Sequence, residues 1–332
     1  AELLPQRSML RSGTGQFSLT ISEPRTIFES ILVSEKKLTR KWVHMALSVA
    51  QKDHFDREGF VVVRQGLKDK DISPVIEEYE EFISARALEL RDEGKIKDLY
   101  ETEPFERRLI HLHRQCNEIY PHLDIMHLRG KEMFRFLRNE TLLDMVEGVL
   151  GTSEITCNPI QHMRPKLPVE DPEGEQHIAK WHQDIGVMLE EADPIFILTV
   201  WIALAEATPE NGCMEIIPRI QGQGLLHKTS AALTPEELPK GEQLALPMHK
   251  GDVLLMHKEI PHRSYPNQSE TVRWSIDLRF QPTGTPTGRY YWPDFPVRSK
   301  SNPDSVLVDH EIWSNMWQKA LASDSPASYR WG

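Results

Sequence analysis

From about residue 152 onward, short apolar stretches alternate with turn residues such as Pro, Gly and Asn, a pattern typical of β-strands. Each stretch is short, and a series of such strands indicates a sandwich or a closed barrel. We therefore predict a β-sandwich or barrel in this part of the chain. The predicted strands cover residues 155–164, 180–188, 195–205, 213–218, 244–247, 252–257 and 272–281.

The first half of the chain instead has apolar residues at helical spacing, with one short strand, Phe60–Val63, among them. A long helix is predicted to begin with Ser73 as its N-cap and Pro74 in its first position, and a later helix to end at Gly151. We expect an α+β protein with a mainly β core and flanking helices. A last amphipathic helix, at about 309–322, is predicted to bury Ile312, Trp313, Met316 and Trp317.

The change of pattern also suggests how the chain is divided. Residues 1–52 are predicted to form an N-terminal extension that is partly helical or flexible, and residues 53–332 a single domain with its barrel core at about 152–282. A long, acidic, Pro-rich loop, "PKLPVEDPEGEQHIAK", comes directly before the segment "WHQD". Long loops beside functional sites often act as lids, so this loop is a candidate lid.

The composition is that of an ordinary globular chain, since 39% of the 332 residues are hydrophobic and 27% are charged. A formal net charge of -11 disfavours non-specific binding to nucleic acid. No apolar run approaches the about eighteen residues of a membrane helix, and the first residues lack a secretory pattern. The three cysteines have no zinc-type spacing, so we expect reduced thiols in a cytoplasmic protein without nucleic-acid or membrane partners.

Candidate chemistry centres on "WHQD", in which His182 and Asp184 are two positions apart. On a strand these two side chains would point to one side and Gln183 to the other. One further imidazole would complete a set of two histidines and one carboxylate, the ligand set of non-haem Fe(II) oxygenases, which leaves coordination positions open. A His-x-Asp pair alone is common by chance, and two polar residues at a strand end are the simpler explanation.

Two distant histidines, His257 and His262, are candidates for the third ligand. His262 lies in a turn rich in Pro, Asn and Ser, and Arg273 follows eleven positions later on a strand with one polar and one apolar face. A buried arginine is costly unless a carboxylate pairs with it, and the distal carboxylate of 2-oxoglutarate could be that partner. The residues by themselves leave the choice of histidine open.

Four ordered segments resemble the phytanoyl-CoA dioxygenase family of Fe(II)/2-oxoglutarate-dependent oxygenases. They extend over about residues 53–282 and are "FDREGFVVVRQGL", "WHQD", "VWIALAEATPENGCMEIIP" and "GDVLLMHKEIPHRSYPNQSETVRW". The resemblance implies a double-stranded β-helix, which is a jelly-roll or cupin-like barrel, flanked by N-terminal helices. The site would lie at the mouth of this barrel.

The resemblance also implies which residues bind the metal. The family ligand is the His of an H-x-S-x-x-N pattern, which here is His262 with Ser264 and Asn267. Fe(II) would then be held by His182, Asp184 and His262, and His257 would be a neighbouring or core imidazole. Halogenating relatives have a small residue where Asp184 stands, so this carboxylate argues against halogenation.

For 2-oxoglutarate, the resemblance implies that Arg273 pairs with the C5 carboxylate and that Ser264 hydrogen-bonds the same group. Trp201 and Met163 lie on strands where family members contact the co-substrate, and Gln161 shares the face of Met163 by alternation. Each of these three could equally fill the core.

Three further positions are ambiguous. Arg219 departs from the family pattern, in which a glycine is common, and no role is assigned to it. Asp277 and Arg279 continue the face of Arg273, where they could reach a polar substrate or pair with each other. A mutual ion pair is the simpler of these two interpretations.

The predicted function is therefore a dioxygenase that uses Fe(II), 2-oxoglutarate and O2 to oxidise, most simply to hydroxylate, a small-molecule metabolite or natural product, with release of succinate and CO2. No basic run suited to a CoA phosphate stands out in the sequence. The sequence leaves open whether the protein forms a homodimer. Two alternatives remain: a cupin-like metal-dependent isomerase or hydrolase without 2-oxoglutarate, and a non-catalytic binding protein on the same barrel.

Overall fold

The computed structural model describes residues 47–169, 180–323 and 330–331. Nearly all of the predicted N-terminal extension, and most of the candidate lid, lie outside these ranges. Within them, every helix is too short or too polar to cross a membrane.

Two antiparallel sheets form the β core. The larger sheet has six strands in the order β1-β6-β3-β8-β2-β9, and the smaller has three in the order β5-β4-β7. The α+β class and the double-stranded β-helix predicted from the resemblance are confirmed. The strands are β1 (Phe60–Val63), β2 (Ile155–Lys166), β3 (Leu198–Ala203), β4 (Met214–Ile216), β5 (Leu244–Leu246), β6 (Val253–His257), β7 (His262–Ser264), β8 (Arg273–Pro282) and β9 (Phe295–Arg298).

Strand β8 lies at the centre of the larger sheet, between β3 and β2, and its alternation separates two environments. Trp274 and Ile276 belong to the same apolar cluster as the buried faces of the helices. Arg273 and Ser275 point to the other side, toward the smaller sheet, and are buried there. The predicted two-faced pattern of this strand is therefore confirmed, and its polar face lines the interior of the barrel.

The helices precede the barrel, apart from one near the C-terminus. They are α1 (Val49–Glu58), α2 (Asp69–Asp92), α3 (Phe105–Gln115), α4 (Ile125–Leu128), α5 (Lys131–Phe136), α6 (Glu140–Leu150) and α7 (His310–Leu321). Single 3-10 turns lie at Asn117–Ile119, Asp184–Val187, Glu190–Ala192 and Pro303–Ser305.

Two details of the helices differ from the prediction. Helix α2 begins at Asp69 instead of after Ser73, because the Asp71 carboxylate accepts a hydrogen bond from the Lys68 amide at 3.0 Å and caps the earlier start. Pro74 consequently lies inside the helix. In α7, Trp313 and Trp317 are buried as predicted, but Ile312 is 52% exposed.

The predicted strand at 180–188 does not form. His182 makes only an isolated bridge to His262, and a 3-10 turn follows at Asp184–Val187. The chain turns there because the Ile185 amide donates to the Lys258 carbonyl at 3.1 Å and the Gly186 amide to the Gln183 carbonyl at 3.0 Å. Local tertiary hydrogen bonds thus replace a strand ladder at the start of the candidate site.

Arg219, which stands where a glycine is common in the family, has a left-handed backbone with φ of 64°. This region favours glycine, so the chain retains a glycine-type conformation despite the substitution. The Arg219 guanidinium pairs with the Glu58 carboxylate at 2.8 Å, and its amide donates to the Glu58 carbonyl at 2.9 Å. These two contacts link the turn to α1.

Candidate active site

His182 and His262 are brought together by their own main chains. The His182 amide donates to the His262 carbonyl at 3.0 Å, and the reverse bond is 2.9 Å long. In each ring, Nδ1 forms a hydrogen bond with the carbonyl oxygen of the residue two positions earlier. For His182 this is the Lys180 carbonyl, at 2.8 Å, and for His262 it is the Ile260 carbonyl, at 2.9 Å. Because a carbonyl can only accept, Nδ1 carries the proton in both rings, and both Nε2 lone pairs are free to bind a metal.

The Asp184 carboxylate is buried and held from both sides. Its Oδ2 accepts a hydrogen bond from the Thr199 hydroxyl on β3. Its Oδ1 accepts from Nη2 of Arg279 on β8 at 2.5 Å. Burial opposes the charged form, but the Arg279 guanidinium, the two histidines and the Thr199 hydrogen bond together hold the pKa of Asp184 well below its usual range. The carboxylate is therefore ionised and fixed in orientation.

The three side chains form one cluster, in which ligand atoms of His182, Asp184 and His262 all lie within 4.8 Å of one another. Nε2 of His262 is 3.8 Å from Oδ1 of Asp184. Burial lowers the pKa of His182 to about 4, with a further contribution from His262, so the imidazole is neutral and ready to coordinate. Two imidazoles and one carboxylate are a donor set that suits Fe(II).

Two other candidate residues, His257 and Gln183, lie outside this cluster. His257, at the end of β6, packs against Phe196 with ring centroids 5.2 Å apart, and it is not part of the cluster. Gln183 does point away from the ligands, but it is buried instead of facing solvent. Its side-chain amide donates to the carbonyls of Gly224 and Glu259, at 3.1 and 2.7 Å, and so anchors the segment between the two ligands.

Arg273 is a buried cation that faces the cavity. Its Nε donates to the Gly212 carbonyl at 3.1 Å, one terminal nitrogen donates to Ser275, and the guanidinium lies 5.2 Å from the centre of the Trp201 ring. Burial, and then the nearby Arg164, lower the pKa of Arg273 to about 10. Arg273 forms no ion pair with the acidic residues that the structure describes. A buried guanidinium in this state fits the carboxylate of a bound co-substrate.

Ser264, on β7, lies beside Arg273 in the same cavity, and its hydroxyl accepts a hydrogen bond from Nζ of Lys166 at 2.7 Å. Lys166 is the residue directly opposite Arg273 in the pairing of β2 with β8. The candidate co-substrate site therefore contains a second cation. Neither the motifs nor the spacing pointed to Lys166, because its proximity depends on the strand register.

The cavity at the barrel mouth has a volume of about 890 Å³ and is lined by His182, His262, Ser264, Arg273 and Trp201 among others. Gln161 and Met163 do not line it. They pair with Leu278 and Ile276 on the helix-facing side of β8, and Met163 packs in the helical core. The two residues share a face, as alternation predicted, but that face points away from the cavity.

The sequence did not predict that Thr199 and Arg279 contact Asp184. Arg279 forms the predicted ion pair with Asp277, but it also bonds Asp184, a contact that was not foreseen. Alternation did put Arg279 on the face of Arg273, and this was the available signal. Thr199 is one threonine in a continuous apolar strand, and nothing in the pattern distinguished it.

Known proteins share this fold and its motifs. The family profile described as Phytanoyl-CoA dioxygenase (PhyH) matches residues 55–275. The human peroxisomal phytanoyl-CoA dioxygenase is 23% identical over 257 residues, covering 70% of this chain and 68% of that protein. A methylphosphonate hydroxylase of Gimesia maris is 33% identical over 84 residues, covering 25% of this chain and only 32% of that relative's length.

Among solved structures, EctD from S. alaskensis with 2-oxoglutarate and 5-hydroxyectoine aligns with a TM-score of 0.54 at 20% identity, covering 73% of this chain and 79% of that chain. This likeness bears on the fold, whereas the family profile extends over more than half of the sequence. The chain belongs to the phytanoyl-CoA dioxygenase family of 2-oxoglutarate-dependent oxygenases, whose members use iron.

Proposed function

We propose that this chain is an Fe(II)/2-oxoglutarate-dependent dioxygenase that hydroxylates a small molecule and releases succinate and CO2. The observation that carries the proposal is that one cavity is lined both by His182 and His262, which form a cluster with Asp184, and by the buried Arg273. The family assignment, and the names of relatives such as methylphosphonate hydroxylase, support a small-molecule substrate.

His182, Asp184 and His262 would hold the metal through two Nε2 atoms and one carboxylate oxygen. When bound, Fe(II) supplies the oxygen-activating chemistry, with 2-oxoglutarate as the co-substrate and electron donor. The hydrogen bonds on both Nδ1 atoms keep the imidazoles in the tautomer that coordinates. The bonds from Thr199 and Arg279 keep the carboxylate from rotating.

Arg273 would bind the C5 carboxylate of 2-oxoglutarate, and Ser264, whose hydroxyl faces the same cavity, would hydrogen-bond it. The Gly212 carbonyl and the Trp201 ring hold the guanidinium in position. Trp201 also excludes water from one side of this ion pair, which strengthens the attraction. These residues orient the co-substrate and do not take part in bond breaking.

The rival functions explain less of the site. A cupin-like hydrolase or isomerase would use the metal ligands but would leave Arg273 buried without an anion. A non-catalytic barrel would have no need for ligand histidines whose tautomers are set by hydrogen bonds. A carboxylate at position 184 argues against halogenation.

Anaerobic titration with Fe(II) and then 2-oxoglutarate tests the proposal, because the chelate has a weak visible charge-transfer absorption. The wild-type protein is expected to develop this band, and His262→Ala to lose it. His257→Ala is the matched control and is expected to retain the band. Arg273→Gln is expected to weaken 2-oxoglutarate binding about tenfold or more, since a charged hydrogen bond contributes about 1.5–3 kcal/mol.

Absence of the band in the wild type, or an undiminished band in His262→Ala, contradicts the proposal. If His257→Ala loses the band and His262→Ala keeps it, the assignment of the third ligand is wrong. Succinate release in air, measured over a panel of small acids, alcohols and thioesters, then identifies substrates.

A further inference from the structure

The cavity is lined by more cationic side chains than the carboxylate of the proposed co-substrate would pair with. Besides Arg273, its described lining includes Arg114, Arg164 and Lys166, and one acidic residue, Asp277. Asp277 is already paired with Arg279. The cations therefore outnumber the acids among the residues that the structure describes around this space.

Arg164 extends from β2 into the cavity, directly opposite Ser275 on β8 and one step along the same face from Lys166. It forms no hydrogen bond or ion pair with another described residue. The Asp124 carboxylate interacts electrostatically with Arg164, but its oxygens bond His162 at 2.8 Å and the amides of Ile125 and Met163 at 2.8 and 3.1 Å. After burial, the charge of Arg164 is the next cause that lowers the pKa of Arg273, while Asp277 raises it.

Arg114, in the last turn of α3, lines the same cavity from the helical side. It too has no ion pair among the described residues, whereas Arg107 on the same helix lies 3.6 Å from the carboxylate of Glu103. Arg114 and Arg164 thus approach the cavity from two separate elements and are both available to a ligand. Guanidinium groups bind oxyanions through paired hydrogen bonds, and these two arginines line the same cavity.

Bound 2-oxoglutarate would not satisfy these arginines. In the proposed arrangement its C5 carboxylate is paired with Arg273, and its other end is at the metal. A cavity of about 890 Å³ also has room for a second small molecule, since pockets of roughly 300–1,000 Å³ hold drug-sized ligands. Arg114 and Arg164 therefore remain, with the rest of the cavity, for the substrate.

We infer that Arg164 and Arg114 bind an anionic group of the substrate, a carboxylate or a phosphonate or phosphate, so that the enzyme acts on a small acid. The inference rests on the proposed function, because it assigns the substrate class of that same site. The two arginines recognise the acid group and direct the opposite end of the molecule toward the metal ligands.

The test uses protein loaded with Mn(II), which does not turn over, and saturated with 2-oxoglutarate. Calorimetric titration with methylphosphonate and with propionate probes the two kinds of acid, and propionamide is the uncharged counterpart of propionate. The wild type is expected to bind at least one acid and not the amide. Arg164→Gln and Arg114→Gln are each expected to weaken acid binding about tenfold, with 2-oxoglutarate affinity unchanged. Arg107→Gln is the matched control and is expected to bind as the wild type does.

The outcomes separate the inference from the function on which it rests. If the wild type fails to bind 2-oxoglutarate, the proposed function fails. If 2-oxoglutarate binds but neither acid does, or propionamide binds as tightly as propionate, the substrate inference is overturned. Arg164→Gln weakening 2-oxoglutarate as much as Arg273→Gln does also overturns it, because Arg164 then belongs to the co-substrate. The acid that binds more tightly identifies the kind of oxyanion.

Discussion

At the scale of single residues, the orientation of Asp184 depends on two side chains from the larger sheet. Thr199 and Arg279 occupy different oxygens of the carboxylate, and they lie directly opposite each other in the pairing of β3 with β8. Partners that orient a metal ligand in this way commonly alter metal affinity by about 10–100-fold when they are removed. Both residues therefore act through Asp184 as positioning residues.

Thr199→Val removes the hydroxyl while keeping the shape of the side chain, so Asp184 loses one restraint. We expect Mn(II) to bind about tenfold more weakly to this variant. Thr199→Ser retains the hydroxyl and is expected to bind Mn(II) nearly as the wild type does. The measurement is a metal titration at constant pH, with thermal unfolding followed in parallel to check the fold. Equal metal affinity in the Val and Ser variants contradicts the positioning role.

At the scale of elements, the turn before β4 sets the position of Arg273. Gly212 in this turn has a φ of 95°, and its carbonyl accepts the hydrogen bond from Nε of Arg273. A Cβ at this position would lie 2.7 Å from Cδ of Lys166 and 2.7 Å from the Tyr265 carbonyl oxygen. The Tyr265 oxygen belongs to the main chain and cannot move aside easily, so the turn itself would have to shift.

Gly212→Ala is therefore expected to weaken 2-oxoglutarate binding by displacing the carbonyl that holds Arg273. Gly222→Ala is the matched control, because Gly222 also has a positive φ, 86°, but a Cβ there meets no atom within 4 Å. The control carries backbone strain of about 1–2 kcal/mol and no collision. Calorimetric titration with 2-oxoglutarate distinguishes the two effects. Similar losses of affinity in both variants mean that strain alone is responsible and that the turn does not position Arg273.

At the scale of the whole molecule, the site joins parts of the chain that are far apart. His262 comes from the smaller sheet, and Arg273 and Thr199 come from the larger sheet. His182 and Asp184 lie on a segment that meets the smaller sheet through one bridge. A metal and a co-substrate bound at the proposed site would connect the two sheets, so their binding energy would contribute to the stability of the fold.

We expect Mn(II) together with 2-oxoglutarate to raise the unfolding temperature, because both ligands need the folded arrangement. Saturation at a hundred times the dissociation constant corresponds to about 2.7 kcal/mol of added stability. The measurement is thermal unfolding with and without the ligands, with a chelator as the reversal control. His262→Ala is expected to lose the shift and His257→Ala to keep it. An equal shift in both variants contradicts the assignment of the ligands.

The sequence by itself determined the fold class and identified most of the candidate site residues. Alternating and helical periodicity identified the strand Phe60–Val63, the later barrel strands and the helix that ends before Gly151, since these patterns reflect which face is buried. The His-x-Asp pair named two ligand candidates. The order of the motifs, through the family resemblance, favoured His262 over His257, and the cluster in the structure contains His262. These features are local, or they are encoded in residue type and spacing.

Only the tertiary structure decided which side chains meet. A register shift between Cys157 and Gln161 precedes the stretch in which Gln161 and Met163 pair with the helix-facing side of β8. The same register brings Lys166 opposite Arg273. The anion-binding pair, Arg114 and Arg164, comes from a helix and a strand with no motif in common. Such contacts depend on strand register and on how helices pack on a sheet, and a single sequence specifies these only through the complete fold.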